Sequence, residues 1–150
     1  MKEDTTVTAS TIIAFAEKLE EDTSKFYEEL AEKYTENRET LLSFAKESKR
    51  NKILLLRTYQ ETITDALEAC FININLSDYL IKINLREGMS YYDALKLAVA
   101  IEEKACKFYS DVAERSGALL ATITDVFRKV AKIRENRKYA LKLKLKTNPI

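Results

Sequence analysis

Apolar residues recur at spacings of three and four from about Thr11 to Tyr34, as Ile12, Ile13, Ala16, Leu19, Phe26, Tyr27, Leu30, Ala31 and Tyr34. That period is the signature of an amphipathic helix. Thr35 or Asn37 can start a second helix, which the pattern carries from Thr40 to about Ala69 through Leu41, Phe44, Ala45, Leu55, Ala66 and Leu67. Within it the run Ile53-Leu54-Leu55-Leu56 is apolar all round, which predicts cover on two sides. Ser90 is followed three residues later by Asp93, a variant of the capping box, and opens a third helix to about Arg115. Leu95, Ala98, Val99, Ala105, Phe108, Tyr109 and Val112 form its stripe. Gly117 suits a C-terminal cap, and a fourth helix runs from about Leu119 to Leu143.

Residues 70–89 break this rhythm. Phe71, Ile72, Ile74, Leu76, Tyr79 and Leu80 are interleaved with Asn73, Asn75, Ser77 and Asp78, and part of the segment alternates like a strand. With no second sheet-forming segment evident, it is expected to be a crossover containing a short helical piece, broken by Gly88. Short links at 35–39 and 116–118 make antiparallel neighbours. The expected fold is therefore all-α, a four-helix bundle of two helical hairpins joined by one long crossover. At 150 residues, the chain suits a single domain spanning residues 1–150.

The first and third helices repeat each other. Leu19-Glu20-Glu21-Asp22-Thr23-Ser24-Lys25-Phe26-Tyr27 parallels Ile101-Glu102-Glu103-Lys104-Ala105-Cys106-Lys107-Phe108-Tyr109, at a constant offset of 82. The second and fourth match more weakly, Ala45 to Asn51 against Ala131 to Arg137, at an offset of 86. Glu20 and Tyr27 lie seven apart and so near one helix face, and Glu102 and Tyr109 repeat the relation. Each Glu falls on an otherwise apolar stripe. Periodicity allows two outcomes: burial, or a place at the stripe edge facing solvent.

Composition narrows the chemistry. There is no His, which removes His-based catalysis and His metal sites. Two Gly and one Pro argue against a β-sandwich or Rossmann fold, and neither a Gly-rich phosphate loop nor a nucleophile elbow is present. Cys70 and Cys106 are isolated, fit no zinc or redox pattern, and read as small buried hydrophobes. No apolar run reaches membrane-spanning length, and Met1-Lys2-Glu3-Asp4 does not begin a signal peptide, so a cytoplasmic protein is expected. Charged residues make up 33% of the chain and Gln occurs once, a bias compatible with a thermophilic source. Net charge is +1, but from Arg128 to Lys146 nine bases face one acid. This prompts a nucleic-acid or anionic-membrane hypothesis. Against it, the segment is expected to carry no interleaved exposed aromatics, and a solvated outer helix face explains the charge as well.

The paired Glu and Tyr, preceded by small apolar residues, resemble the first and third helices of rubrerythrin and the wider ferritin-like di-iron proteins, over about residues 10–143. The resemblance implies a metal-binding Glu on each of those helices, at Glu20 and Glu102. It also implies a Glu-x-x-His pair on each of the other two. Those positions hold Ser48 and Asn51, and Arg134 and Arg137. Iron would meet poor neutral ligands and two permanent cations. No cofactor is therefore expected, iron being the alternative. In its place the residues suggest an internal network of Glu20, Glu102, Arg134 and Arg137, completed by Ser48, Asn51, Tyr27 and Tyr109. Arg137 is its expected weakest member, free to reach solvent. Three functions follow: a metal-free structural or protein-binding bundle, a homodimer by its spare apolar surface; a rubrerythrin-like iron oxidoreductase or peroxidase; or a binder of an anionic ligand or nucleic acid.

Overall fold

The computed structural model describes residues 6–62, 71–116 and 121–147. Four long helices dominate it: α1 (Ala9–Lys33), α2 (Arg38–Thr62), α3 (Tyr91–Ser116) and α4 (Ala121–Thr147). The predicted continuation of α2 to Ala69, Cys70 and the Gly117 cap lie outside the described residues. None of the described helices is long and apolar enough to cross a membrane.

Thr8 caps α1, its hydroxyl accepting from the Thr11 N–H at 3.3 Å. The helix ends where Tyr34 turns extended, its N–H still bonded to the Leu30 carbonyl. Asn37 then takes a φ of 60°, a left-handed conformation that Asn tolerates better than most residues. Its side chain is spent on both neighbours: Nδ2 donates to the Tyr91 hydroxyl, and Oδ1 accepts from Lys144 Nζ at 2.9 Å. One link residue thus ties the start of α3 and the end of α4 to the α1–α2 turn. At the head of α3, Ser90 Oγ accepts from the Asp93 N–H at 3.0 Å, one arm of the expected box.

α1 packs along α2, α3 along α4, and α2 against α4. The connection between the hairpins corrects one expectation. Thr6–Thr8 forms a strand, β1, that pairs antiparallel with Phe71–Asn73, β2, in the register Thr6↔Asn73, Val7↔Ile72 and Thr8↔Phe71. The alternation at 71–74 is therefore a strand with a partner. Ile72 and Ile74 point inward and are buried, while Phe71 is 64% exposed. A 3-10 turn at Leu76–Tyr79 supplies the expected short helical piece, and Gly88, at φ +78°, sits in the turn before α3.

The core has two apolar layers. One gathers Ile12, Ala16, Leu55, Phe108, Phe127 and Val130 with Ile72 and Tyr79 of the connection. The other holds Phe26, Leu30, Leu41, Leu95, Ile101 and Leu141. Between them α1, α2, α3 and α4 each contribute buried polar or charged residues. Of the apolar run on α2, Leu55 is fully buried and Leu56 packs against the core, but Ile53 is 56% exposed. The run is therefore covered on one side, at Leu55 and Leu56, and the expectation of cover on two sides is corrected by Ile53, which lies on the outer face of α2.

Candidate functional site

Glu20 and Glu102 are both completely buried, which decides between the two outcomes left open by periodicity. They face each other across α1 and α3, and Arg134 from α4 lies between them. Its Nη1 donates to both oxygens of Glu102, at 2.8 and 2.9 Å. Its Nε donates to Glu20 Oε2 at 3.2 Å, Nη2 donates to the same oxygen, and Nη2 also donates to Thr23 Oγ1 at 3.1 Å. All three nitrogens of the guanidinium donate, in five contacts.

The tyrosines pair crosswise. Tyr27 on α1 donates to Glu102 Oε2, and Tyr109 on α3 donates to Glu20 Oε2, each at 2.6 Å. The two bonds are related by the offset of 82 that relates the two sequence copies. Asn51 Nδ2 donates to the remaining oxygen, Glu20 Oε1, at 3.0 Å. Every carboxylate oxygen in the centre therefore accepts at least one bond, and no described buried side-chain nitrogen or oxygen lacks a partner.

Arg137 departs from expectation. Its side chain does not reach solvent but is fully buried. Nη1 donates to Ser48 Oγ at 2.9 Å and to Glu102 Oε2 at 3.3 Å, while Nε and Nη2 both donate to Glu47 Oε1. The acid comes to the base: Glu47, 37% exposed, lies at the rim and supplies the counter-charge from outside. The guanidinium also lies over the rings of Tyr27 and Phe44, at 5.5 and 5.4 Å. Thr23, Glu47 and Phe44 were not among the expected members. For Thr23 a signal existed, since the repeat places Ala105 at the equivalent position and the polar copy stands out.

Electrostatics follow from this geometry. Burial pushes the Glu102 carboxyl up, and the charges of Arg134 and then Arg137 pull it down further, so it ends below the ordinary carboxylate value. Burial works against the charge of Arg134, yet Glu102 and Glu20 hold its proton more firmly than in water. Burial, then the partner carboxylate, drives the phenols of Tyr27 and Tyr109 well above 10. At neutral pH they are fixed neutral donors.

An iron pair does not fit this donor set. The lone pairs that would face a metal already accept from Arg134, Tyr27, Tyr109, Asn51 and Arg137. A guanidinium occupies the gap between the carboxylates, and a second one adjoins it. Among the described residues no group of three or more His, Cys, Asp or Glu side chains is placed to hold a metal ion. No protein-family model, curated protein or solved structure matches the chain.

Proposed function

We propose that this protein is a metal-free bundle of the ferritin-like class with a structural or protein-binding role. In it, the Glu20–Arg134–Glu102 bridge stands where di-iron relatives place their metals. The observation that carries this reading is the saturation of Arg134, whose three nitrogens all donate, in five contacts, to Glu20, Glu102 and Thr23 in a fully buried position. The carboxylates bind a cation that the chain itself provides, so nothing further is needed to neutralise them. The same saturation weighs against an anionic ligand inside the bundle, since the guanidiniums already have carboxylate partners. We further propose that the chain works as a homodimer, with exposed Phe71 and Leu80 on the connection available for burial between copies.

The test is iron loading. Protein purified anaerobically and incubated with ferrous iron is expected to retain none after desalting, and crystals grown with iron to show no anomalous peak between Glu20 and Glu102. Two irons per chain at that position would return the protein to rubrerythrin-like redox chemistry.

A further inference from the structure

Charge is divided between the two sides of the bundle. α2 and α4 together carry fifteen Lys and Arg against five Asp and Glu, whereas α1 and α3 carry seven against twelve. Arg137 of α4 meets Glu47 and Ser48 of α2, and Lys144 meets Asn37, so α2 and α4 are antiparallel neighbours that form one broad side. Each helix is about 38 Å long at 1.5 Å per residue.

Several exposed cations of this side form no ion pair, although Lys49, Lys52, Lys138 and Lys142 do. Lys46, Arg50 and Arg57 on α2, and Lys129, Lys132 and Lys146 on α4, are all exposed and form no ion pair among the described residues. Spacing places Lys46, Arg50, Ile53 and Arg57 in one stripe, and Lys132, Tyr139, Leu143 and Lys146 in another. Among the described residues, three of the five large exposed hydrophobic ones lie in these stripes: Ile53, Tyr139 and Leu143. The expectation that the basic segment lacks an exposed aromatic is thereby corrected, since Tyr139 is 66% exposed.

We propose that the α2/α4 side docks on an anionic lipid surface. Free Lys and Arg would neutralise lipid headgroups, while Ile53, Leu143 and Tyr139 enter the boundary between headgroups and acyl chains. The acidic α1/α3 side, repelled by the same headgroups, turns the bundle so that its basic side lies flat on the membrane. Nucleic acid suits the same charge less well. Exposed Ile and Leu gain nothing against a phosphodiester backbone in water, and the stripes offer few side chains able to read bases.

Co-sedimentation of the full chain with vesicles tests the proposal. Binding is expected to phosphatidylcholine vesicles containing phosphatidylserine, and neither to phosphatidylcholine alone nor at high salt. Arg50→Glu with Lys132→Glu should weaken binding by at least about tenfold. The matched pair Lys25→Glu and Lys96→Glu, on the opposite side, should weaken it far less. Ile53→Ser with Leu143→Ser should weaken it with net charge unchanged. Circular dichroism melts verify that each variant folds. The proposal is overturned if phosphatidylserine vesicles are not bound at low salt, if both charge-reversal pairs act alike, or if the protein binds an oligonucleotide while ignoring vesicles. Salt-sensitive self-association that hides this side and abolishes vesicle binding would overturn it too.

Discussion

Tyr27 donates a 2.6 Å hydrogen bond to Glu102, 75 residues away on the other hairpin, and Tyr109 returns the same bond to Glu20. Each phenol stabilises a carboxylate that water cannot reach. Tyr27→Phe should therefore cost about 1.5–3 kcal/mol, the range for a hydrogen bond to a charged group, and Tyr109→Phe a similar amount. Urea unfolding of both variants checks this. Losses below half a kilocalorie would mean that the guanidiniums alone satisfy the carboxylates.

Removing a charge from the centre should cost more. Glu102→Ala leaves Arg134 with one carboxylate and Arg137 without its inner one, and is expected to destabilise the fold by about 3–5 kcal/mol. Arg134→Met should do at least as much, because two buried acids then face each other. Glu102→Ala combined with Arg134→Met should lose less than the sum of the two single changes, as expected of groups in direct contact. Chemical denaturation of the four proteins supplies the cycle, and strict additivity would contradict a shared network.

Acid should act through the same residue. The Glu102 carboxyl lies below its ordinary value in the folded state. Its contribution is therefore complete above the unfolded pKa and is lost as pH falls through the lower folded one. Stability measured from neutral pH downward should fall in that window, and Glu102→Gln should flatten the dependence. At the alkaline end the phenols report instead. Of the eight tyrosines, Tyr27 and Tyr109 should resist ionisation while the fold persists, so an ultraviolet titration should show a late step that coincides with unfolding.

Cys106 is buried and free, with its Sγ 3.9 Å from the Ala131 carbonyl oxygen. Burial, then the nearby carboxylates of Glu135 and Glu102, pushes its thiol up to about 12. In a Cys70→Ser background, native protein at pH 8 should react with a disulfide reagent far more slowly than protein in denaturant. Equal rates would show that α3 and α4 open readily at this point.

How far the sequence exposes this structure varies from residue to residue. The helices were legible because the stripe from Ile12 to Tyr34, and those after it, persist over many turns. The strand Thr6–Thr8 was not, because three residues carry no measurable period and the partner lies more than sixty positions away. Glu20 and Glu102 stood out as charges on apolar stripes, but their burial depends on Arg134 arriving from another helix. Arg137 was placed in the network yet expected at its edge. What holds it inside is Glu47, whose meeting with Arg137 depends on how α2 faces α4 and leaves no mark in the pattern of either helix. The crosswise choice of partners by Tyr27 and Tyr109 is set by how α1 faces α3, which no single-helix pattern contains.

The polar layer lies between two apolar ones, and that placement bears on how the molecule comes apart. A chain built from two similar hairpins invites stepwise opening, one half melting while the other holds. Here Glu20 belongs to the first hairpin and Arg134 and Glu102 to the second, so separating the halves strands a buried charge on each. Intermediates with one hairpin detached are disfavoured at the outset, and hydrogen exchange deep in α1 and α3 should report a single global opening. The repeat shapes the architecture, while the guanidinium across its seam makes the two halves one cooperative unit.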